Sequence, residues 1–329
     1  ECWIADRDRF SYEALNGPDR LTQPMLKQGG EWQTVDWQTA LEYVANGLKC
    51  VKDKHGAAAI GLLASPHSTV EELSLAGALV RGLGSENIDS RLRHADFGHA
   101  APAGQARWLG RPIAELSQLQ RVLVVGSNLR KDHPLFALRV RHAVRHGAQL
   151  NVITSPAAFS HADAWAMPVA NSVVTDAFAW AQTLADLAVA IAAEKGVPAP
   201  CAGTASAAVQ AMAKSLLGGE RKALLLGNAA AHHGNASTLL ALANWIGEQT
   251  GASVGYLTEA ANTVGAQWVG AQPQTGGKHA GQMLAGGLKA AVLLNTEPEF
   301  DSAAGAAAAK ALGQAEMVVT LSPFKANMA

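Results

Sequence analysis

The sequence predicts an α/β protein made of two doubly wound, mostly parallel lobes, and three observations carry that reading. Short apolar runs alternate with stretches of helical periodicity along most of the chain. Glycine or small polar residues close these runs, as strand-to-helix connections require. The 329 residues exceed what one compact core usually holds, which favours two lobes.

The elements follow in order. Trp37, Ala40, Leu41, Val44 and Leu48 recur at helical spacing behind Asp36, which is placed to cap the first turn. Ala57 to Ala64 is a short apolar run, Ser65 to Ser68 a polar turn, and Val70 to Leu83 a helix ended by Gly82 and Gly84. The clearest strand is Arg121 to Val125. It leads into Gly126-Ser127-Asn128, a helix from about Pro134 to His146, the stop at Gly147 and a second strand, Gln149 to Thr154, which together make a βαβ unit. Further strands are expected at Ala223 to Leu226, Ala290 to Leu294 and Met317 to Leu321, beside helices at Ala236 to Gln249 and Ala303 to Leu312. The Pro-bounded, Ala/Gly-rich stretch Gly196 to Gly203 is the expected crossing between lobes. The chain then divides into a connecting segment (1–35), the first part of a discontinuous lobe (36–115), an inserted Rossmann-like lobe (116–214) and the second part of the discontinuous lobe (215–329).

Composition excludes several classes. The formal net charge is −1, and basic residues are scattered apart from the run Arg130 to Arg145, so no field suited to nucleic acid is present. The most apolar helical stretch, Ala177 to Ala193, contains Gln182 and Asp186 and falls short of a membrane span. Cys2, Cys50 and Cys201 are isolated, which fits a reducing compartment better than a disulfide framework and gives no cluster site. With no initiator Met and an unfinished connection after Leu321, both ends read as cuts in a longer chain.

Several motifs invite sharper readings and are better explained plainly. Gly126-Ser127-Asn128 after a strand could cradle a phosphate with backbone amides, but no G-x-G-x-x-G accompanies it, so a structural turn is favoured. His142 and His146 have zinc spacing but no third ligand, among Arg139, Arg141 and Arg145. His232 and His233 are adjacent, so their side chains diverge, and a pocket wall suits them better than a shared metal. Gln272 to His279 lacks the first glycine and the hydroxyl of a phosphate loop and reads as a plain loop. Asn235-Ala236-Ser237 is a sequon without a secretion signal.

Read as whole strings, Asp6-Arg7-Asp8-Arg9-Phe10, Asp19-Arg20-Leu21-Thr22-Gln23-Pro24-Met25 and the Val35-Asp36-Trp37 helix start resemble the opening of the molybdopterin oxidoreductase family. Gly84 to Arg91, Val125-Gly126-Ser127-Asn128 with His133-Pro134, and Leu226-Gly227-Asn228 continue the pattern over nearly the full chain. Within it, Trp3-Ile4, Phe10-Ser11-Tyr12 and Val264-Gly265-Ala266 are most similar to the large iron–sulfur subunit of bacterial respiratory complex I, the NADH:quinone oxidoreductase (NADH dehydrogenase).

The resemblance implies the formate dehydrogenase and DMSO reductase fold and places family functions on particular residues. The family's fourth cluster ligand falls at Ala5, which has no thiolate, and the cysteine that ligates the metal falls at Arg93. A permanent cation there opposes a metal, so the pocket formed by Gly126, Ser127, Asn128, Gly227 and Asn228 is expected to be vestigial, with no metal and no catalytic residue in this stretch. The implied role is a scaffold within the NADH-to-quinone electron-transfer assembly, at the cytoplasmic side of the bacterial inner membrane. The 2Fe-2S and 4Fe-4S clusters are expected upstream. Partners would be other peripheral-arm subunits, including the one that binds flavin and NADH, with Trp3, Asp6, Arg7, Arg9, Phe10 and Tyr12 as the expected interface. The alternatives are a molybdopterin-dependent oxidoreductase such as a formate dehydrogenase, with the same turns gripping the cofactor, or a free-standing α/β small-molecule binder.

Overall fold

The computed structural model describes residues 4–98, 105–159 and 165–325. In chain order the main elements are β1 (Met25–Gln28), β2 (Glu31–Thr34), α1 (Trp37–His55), β3 (Ile60–Ala64), α2 (Val70–Gly82), β4 (Ile88–Asp89), β5 (Arg121–Val125), α3 (Pro134–Arg145), β6 (Gln149–Thr154), β7 (Asn171–Val174), α4 (Trp180–Lys195), α5 (Ala207–Leu217), β8 (Lys222–Leu226), α6 (Ala236–Thr250), β9 (Ser253–Tyr256), β10 (Ala290–Leu294), α7 (Ala306–Leu312) and β11 (Met317–Leu321). They form two units. The first is centred on Arg107–Glu259, and the second joins Asp6–His94 to Ala260–Ala329.

The first unit holds a five-stranded parallel sheet in the order β7-β6-β5-β8-β9. Its middle strands are apolar on both faces because helices cover both: Val122, Leu123, Val124 and Val125 are all fully buried. On one side Leu123, Val125 and Leu224 pack with Leu184, Leu187, Ile191 and Met212 of α4 and α5. On the other, Val122, Val124 and Leu150 pack with Val140 and Ala143 of α3. Burying one such side chain contributes about 1.5–3 kcal/mol. The edge strand β9 carries Gly255 because the backbone at Leu109–Gly110 lies against it. A Cβ on Gly110 would sit 2.6 Å from the Val254 carbonyl oxygen, and one on Gly255 would overlap that of Leu109. The Tyr256 amide donates to the Trp108 carbonyl at 2.8 Å.

The second unit holds a four-stranded parallel sheet, β11-β10-β3-β4, and the antiparallel hairpin β1-β2. Asp36 caps α1 through the Thr39 amide at 2.8 Å, and Thr69 caps α2 in a reciprocal capping box with Glu72. Leu48, Val51, Leu62, Leu73, Val80 and Val292 form the core around this sheet. No helix among the described residues is long and apolar enough to cross a membrane.

The sheets correct several boundaries read from sequence. The inserted lobe does not end near 214: β8 and β9 extend the β5 sheet, so the unit runs on to Glu259. It also begins before 116, since the Arg107 to Leu109 stretch lines its edge. Residues 1–35 are not merely a connector, because the hairpin β1-β2 lies there, Leu21 donates to the Pro323 carbonyl at 2.8 Å and Arg20 bridges Phe324. Ala57–Ala59 forms a 3₁₀ turn, so the strand starts at Ile60. Gln272 to His279 is a loop as expected, and its last residue caps a short helix, Ala280–Leu284, in a capping box with Gln282.

Candidate functional site

In the first unit the strand order reverses direction between β5 and β8, and ligand crevices of doubly wound sheets lie at the carboxyl ends of the strands at such a switch point. The turns that leave these two strands are Gly126-Ser127-Asn128 and Gly227-Asn228, so the structure brings together the residues singled out from sequence. The Gly227 amide donates to Val125 at 2.8 Å and the Ala229 amide to Gly126 at 3.0 Å. Glycine is required at 126: its φ is +63°, and a Cβ would meet the Trp180 ring at 2.7 Å and the Ala230 nitrogen at 2.8 Å. A side chain on Gly227 would overlap Ser127.

The donors of the first turn are already engaged. The Asp132 carboxylate accepts the Asn128 amide at 2.9 Å and the Ser127 hydroxyl at 3.3 Å. An internal carboxylate thus holds the groups that a phosphate-cradling loop would offer its ligand.

The side chains around the turns are less complete. Asn128 Oδ1, Asn228 Oδ1, Trp180 Nε1, His233 Nε2 and Thr154 Oγ1 are buried atoms without a hydrogen-bond partner among the described residues. Such groups cost about 1–3 kcal/mol each when left unmet. His233 Nδ1 accepts the Asn235 amide at 2.9 Å, which leaves Nε2 as the nitrogen facing the crevice side chains as a donor. That ring lies 5.9 Å from Trp180 and 6.4 Å from Phe178, centroid to centroid. Its neighbour His232 instead meets the Glu259 carboxylate. Sequence reasoning missed Asp132, Thr154 and Trp180, none of which stands in a motif.

In the second unit the switch lies between β3 and β10, whose turns are Ser65 to Ser68 and Asn295-Thr296. Asn295 has φ +50° and donates to Ser68 Oγ at 3.1 Å. Asp301 accepts the Glu297 amide at 2.9 Å and the Thr296 hydroxyl at 3.2 Å. The same residue takes Arg93: its Nε donates to the Asp301 carbonyl at 3.3 Å, and Nη2 lies 3.7 Å from the carboxylate. Arg91 grips buried Asp89 with two bonds, 2.8 and 2.9 Å, and Asp89 also accepts the Ala280 amide at 2.9 Å. Burial holds the His279 imidazole below its usual pKa.

The remaining sequence candidates are dispersed. Ala5 is buried, with only a methyl group to offer. Asp6 and Arg9 form an exposed pair at 4.0 Å, and Phe10 and Tyr12 are exposed. Trp3 and the side chain of Arg7 lie outside the described residues. His142 and His146 are exposed, with His146 Nδ1 2.8 Å from the His142 carbonyl oxygen.

A model of the molybdopterin oxidoreductase family matches residues 20–329. The chain belongs to that family. Among curated proteins it is 31% identical over 145 residues to a formate dehydrogenase-like protein of Staphylococcus aureus (strain USA300), covering 42% of this chain and 14% of that protein. The oxidoreductase-like protein YjgC of Bacillus subtilis (strain 168) is 29% identical over 143 residues, with the same coverage. The matched part is thus a small share of these relatives' length. A formyltransferase/hydrolase complex from Methylorubrum extorquens contains a chain of the same fold, with a TM-score of 0.55, 19% identity and coverage of 84% of this chain and 77% of that one. Acetylene hydratase from Pelobacter acetylenicus aligns with a TM-score of 0.42 over 84% of this chain and 34% of its own, at 14% identity.

The residues present match only part of a molybdopterin site. The unmet amide oxygens with the Trp180 and His233 N–H groups are the kind of edge a polar heterocycle satisfies. The sequence resemblance would place the family's metal ligand at Arg93, whose guanidinium is a permanent cation and offers no thiolate.

Proposed function

We propose that this molybdopterin oxidoreductase-family chain is a structural lobe of an electron-transfer assembly of the complex I kind, in the place of its large iron–sulfur subunit, with a crevice that no longer serves a metal. The observation that carries this reading is the pairing of Arg93 with Asp301. The side chain at the ligand position is a guanidinium engaged within its own unit, and its charge repels a metal cation. The Asp132 carboxylate across the Ser127 and Asn128 donors supports the same reading, since it displaces a phosphate from that turn. In this role the partners are the cluster-bearing and NADH-oxidising subunits of a peripheral arm facing the bacterial cytoplasm, and the exposed Arg9, Phe10 and Tyr12 region docks them.

A second reading is favoured by the relatives and by the unmet polar atoms at the switch point: a formate dehydrogenase-like oxidoreductase whose pterin cofactor rests on Asn128, Asn228, Trp180 and His233. One experiment separates the two. The complete protein is purified from its host, and molybdenum, tungsten and oxidised pterin fluorescence are quantified against protein. Substoichiometric metal and pterin, with co-purification of an NADH-oxidising complex, are expected. One metal and one or two pterins per chain, with formate-dependent dye reduction, would replace the scaffold with the enzyme.

A further inference from the structure

The last turn of α3 carries two histidines that neither the switch-point crevice nor the proposed function uses. His142 and His146, the residue that caps the helix, stand four positions apart and therefore share one side of it. Both are exposed, and their ring centres lie 4.3 Å apart with the planes inclined at 37°. His146 Nδ1 is 2.8 Å from the His142 carbonyl oxygen. A carbonyl oxygen only accepts, so Nδ1 donates this bond, and in the neutral ring the lone pair then stands on Nε2. Metal-ligating histidines are held in this way, with one N–H tied to a carbonyl and the other nitrogen left to ligate.

Two observations select the class of ion. Imidazoles on adjacent positions of one metal, each nitrogen about 2.0–2.1 Å from it, place their ring centres roughly 4.5 Å apart when they meet at a right angle. The observed 4.3 Å is near that value, whereas a tetrahedral zinc would spread the rings to roughly 5 Å. The helix Pro134–Arg145 also contains no Asp or Glu, and Arg141 and Arg145 adjoin the two histidines in the chain. Hard cations such as magnesium and calcium, which are held by oxygen ligands and by charge, find neither here. Neutral imidazole nitrogen suits nickel and copper(II), which bind such sites more tightly than lighter divalent metals do and accept square or octahedral geometry.

We propose that His142 and His146 form a two-histidine site for a transition-metal ion of the nickel or copper(II) kind, with water completing its coordination. The third protein ligand that a structural zinc centre needs is not needed by an ion that keeps its solvent. The ion bridges the last turn of α3, where the backbone carbonyls lack partners within the helix, and so braces that turn ahead of Gly147. The neighbouring guanidinium groups oppose any cation, which makes nitrogen ligation the source of the affinity. The site is independent of the switch-point crevice and of whichever function that crevice serves.

The test is calorimetric titration of the complete protein with nickel chloride, beside His142→Gln and His146→Gln. Both positions are exposed, so neither variant disturbs the core. The wild type is expected to bind one nickel ion that each variant binds at least tenfold more weakly, whatever nickel all three proteins bind in common. The same comparison with magnesium chloride is expected to show no difference between the three. Loss of the ion in only one variant would mean that the other histidine takes no part, and would overturn the pair. Equal nickel binding in all three proteins, no nickel binding by the wild type, or a magnesium response that depends on the two histidines would overturn the site as proposed.

Discussion

Asp132 and Asp301 hold the same relation to the turn that precedes each of them. Each carboxylate accepts the amide four residues back, Asn128 or Glu297, at 2.9 Å, and the hydroxyl five residues back, Ser127 or Thr296, at 3.3 or 3.2 Å. In each case the turn follows a central strand, β5 or β10, and opens with a residue of positive φ, Gly126 or Asn295. Asp132→Ala removes two hydrogen bonds to a charged acceptor and leaves a part-buried amide unmet, so a loss of about 1–3 kcal/mol is expected. Urea unfolding of Asp132→Ala beside Asp132→Asn, which keeps one acceptor oxygen, checks this. Equal stability of Asp132→Ala and wild type would show that the turn holds its shape without the carboxylate.

Gly126 and Gly147 separate backbone strain from crowding. Both have positive φ, +63° and +94°, but a Cβ at 126 strikes the Trp180 ring and the Ala230 nitrogen, whereas one at 147 meets nothing within 4 Å. Gly147→Ala is expected to cost about 1–2 kcal/mol, the strain of the left-handed region alone. Gly126→Ala should cost about 3 kcal/mol or more, because the neighbours are backbone and a buried ring. Calorimetric melting of the two variants gives the comparison.

Arg93→Ala is expected to change stability by less than about 1 kcal/mol, since the pair with Asp301 is exposed and 3.7 Å long. In a complex I-type assembly the same variant should leave NADH oxidation at the wild-type rate. A large loss of turnover with normal subunit content would give Arg93 a part in the chemistry.

His279 provides a pH dependence. Burial is the largest influence on its pKa and lowers it, outweighing the opposing pull of Asp89, and Arg91 lowers it further. A folded pKa below the unfolded value of 6.5 means that the unfolded chain takes up the proton more readily. Its contribution is therefore complete above pH 6.5 and is lost as the pH falls through the folded pKa. The neutral ring is also what caps the short helix, since Nδ1 accepts the Gln282 amide at 3.3 Å. Urea midpoints between pH 8 and pH 5 should fall more in wild type than in His279→Asn, which caps without titrating.

The strongest strands were legible because nothing competes with their pattern. Arg121 to Val125, Gln149 to Thr154, Ala290 to Leu294 and Met317 to Leu321 are short apolar runs between turn signals, and each forms a strand with those bounds. β9 was hidden because Gly255, required by the close approach of Leu109, breaks the run, and β4 is two residues long. The lobe boundary near 214 failed for a related reason. Strand membership depends on pairing, and Lys222 to Leu226 looks the same from sequence whichever sheet receives it. At the site, Gly126 and Gly227 announced themselves as turn residues. Asp132 did not, since a carboxylate in a polar helical stretch reads as a solvated face until its partners are placed. Trp180 opens α4 whereas His233 lies in the connection before α6, and no spacing rule joins them.

The 2.8 Å bond from the Tyr256 amide to the Trp108 carbonyl bears on how a chain with an interrupted unit can fold at all. Ile60 pairs with Ala290 in the second unit's central strands, across the whole first unit, a closure that is costly in entropy if the intervening chain is a random coil. Once the first unit has formed, Trp108 and Tyr256 are neighbours, and the long intervening segment behaves as a loop of a few residues. Loop-closure entropy therefore favours formation of the insert first, and a lesion in β8 or β9 is expected to delay the pairing of β3 with β10 without touching either strand.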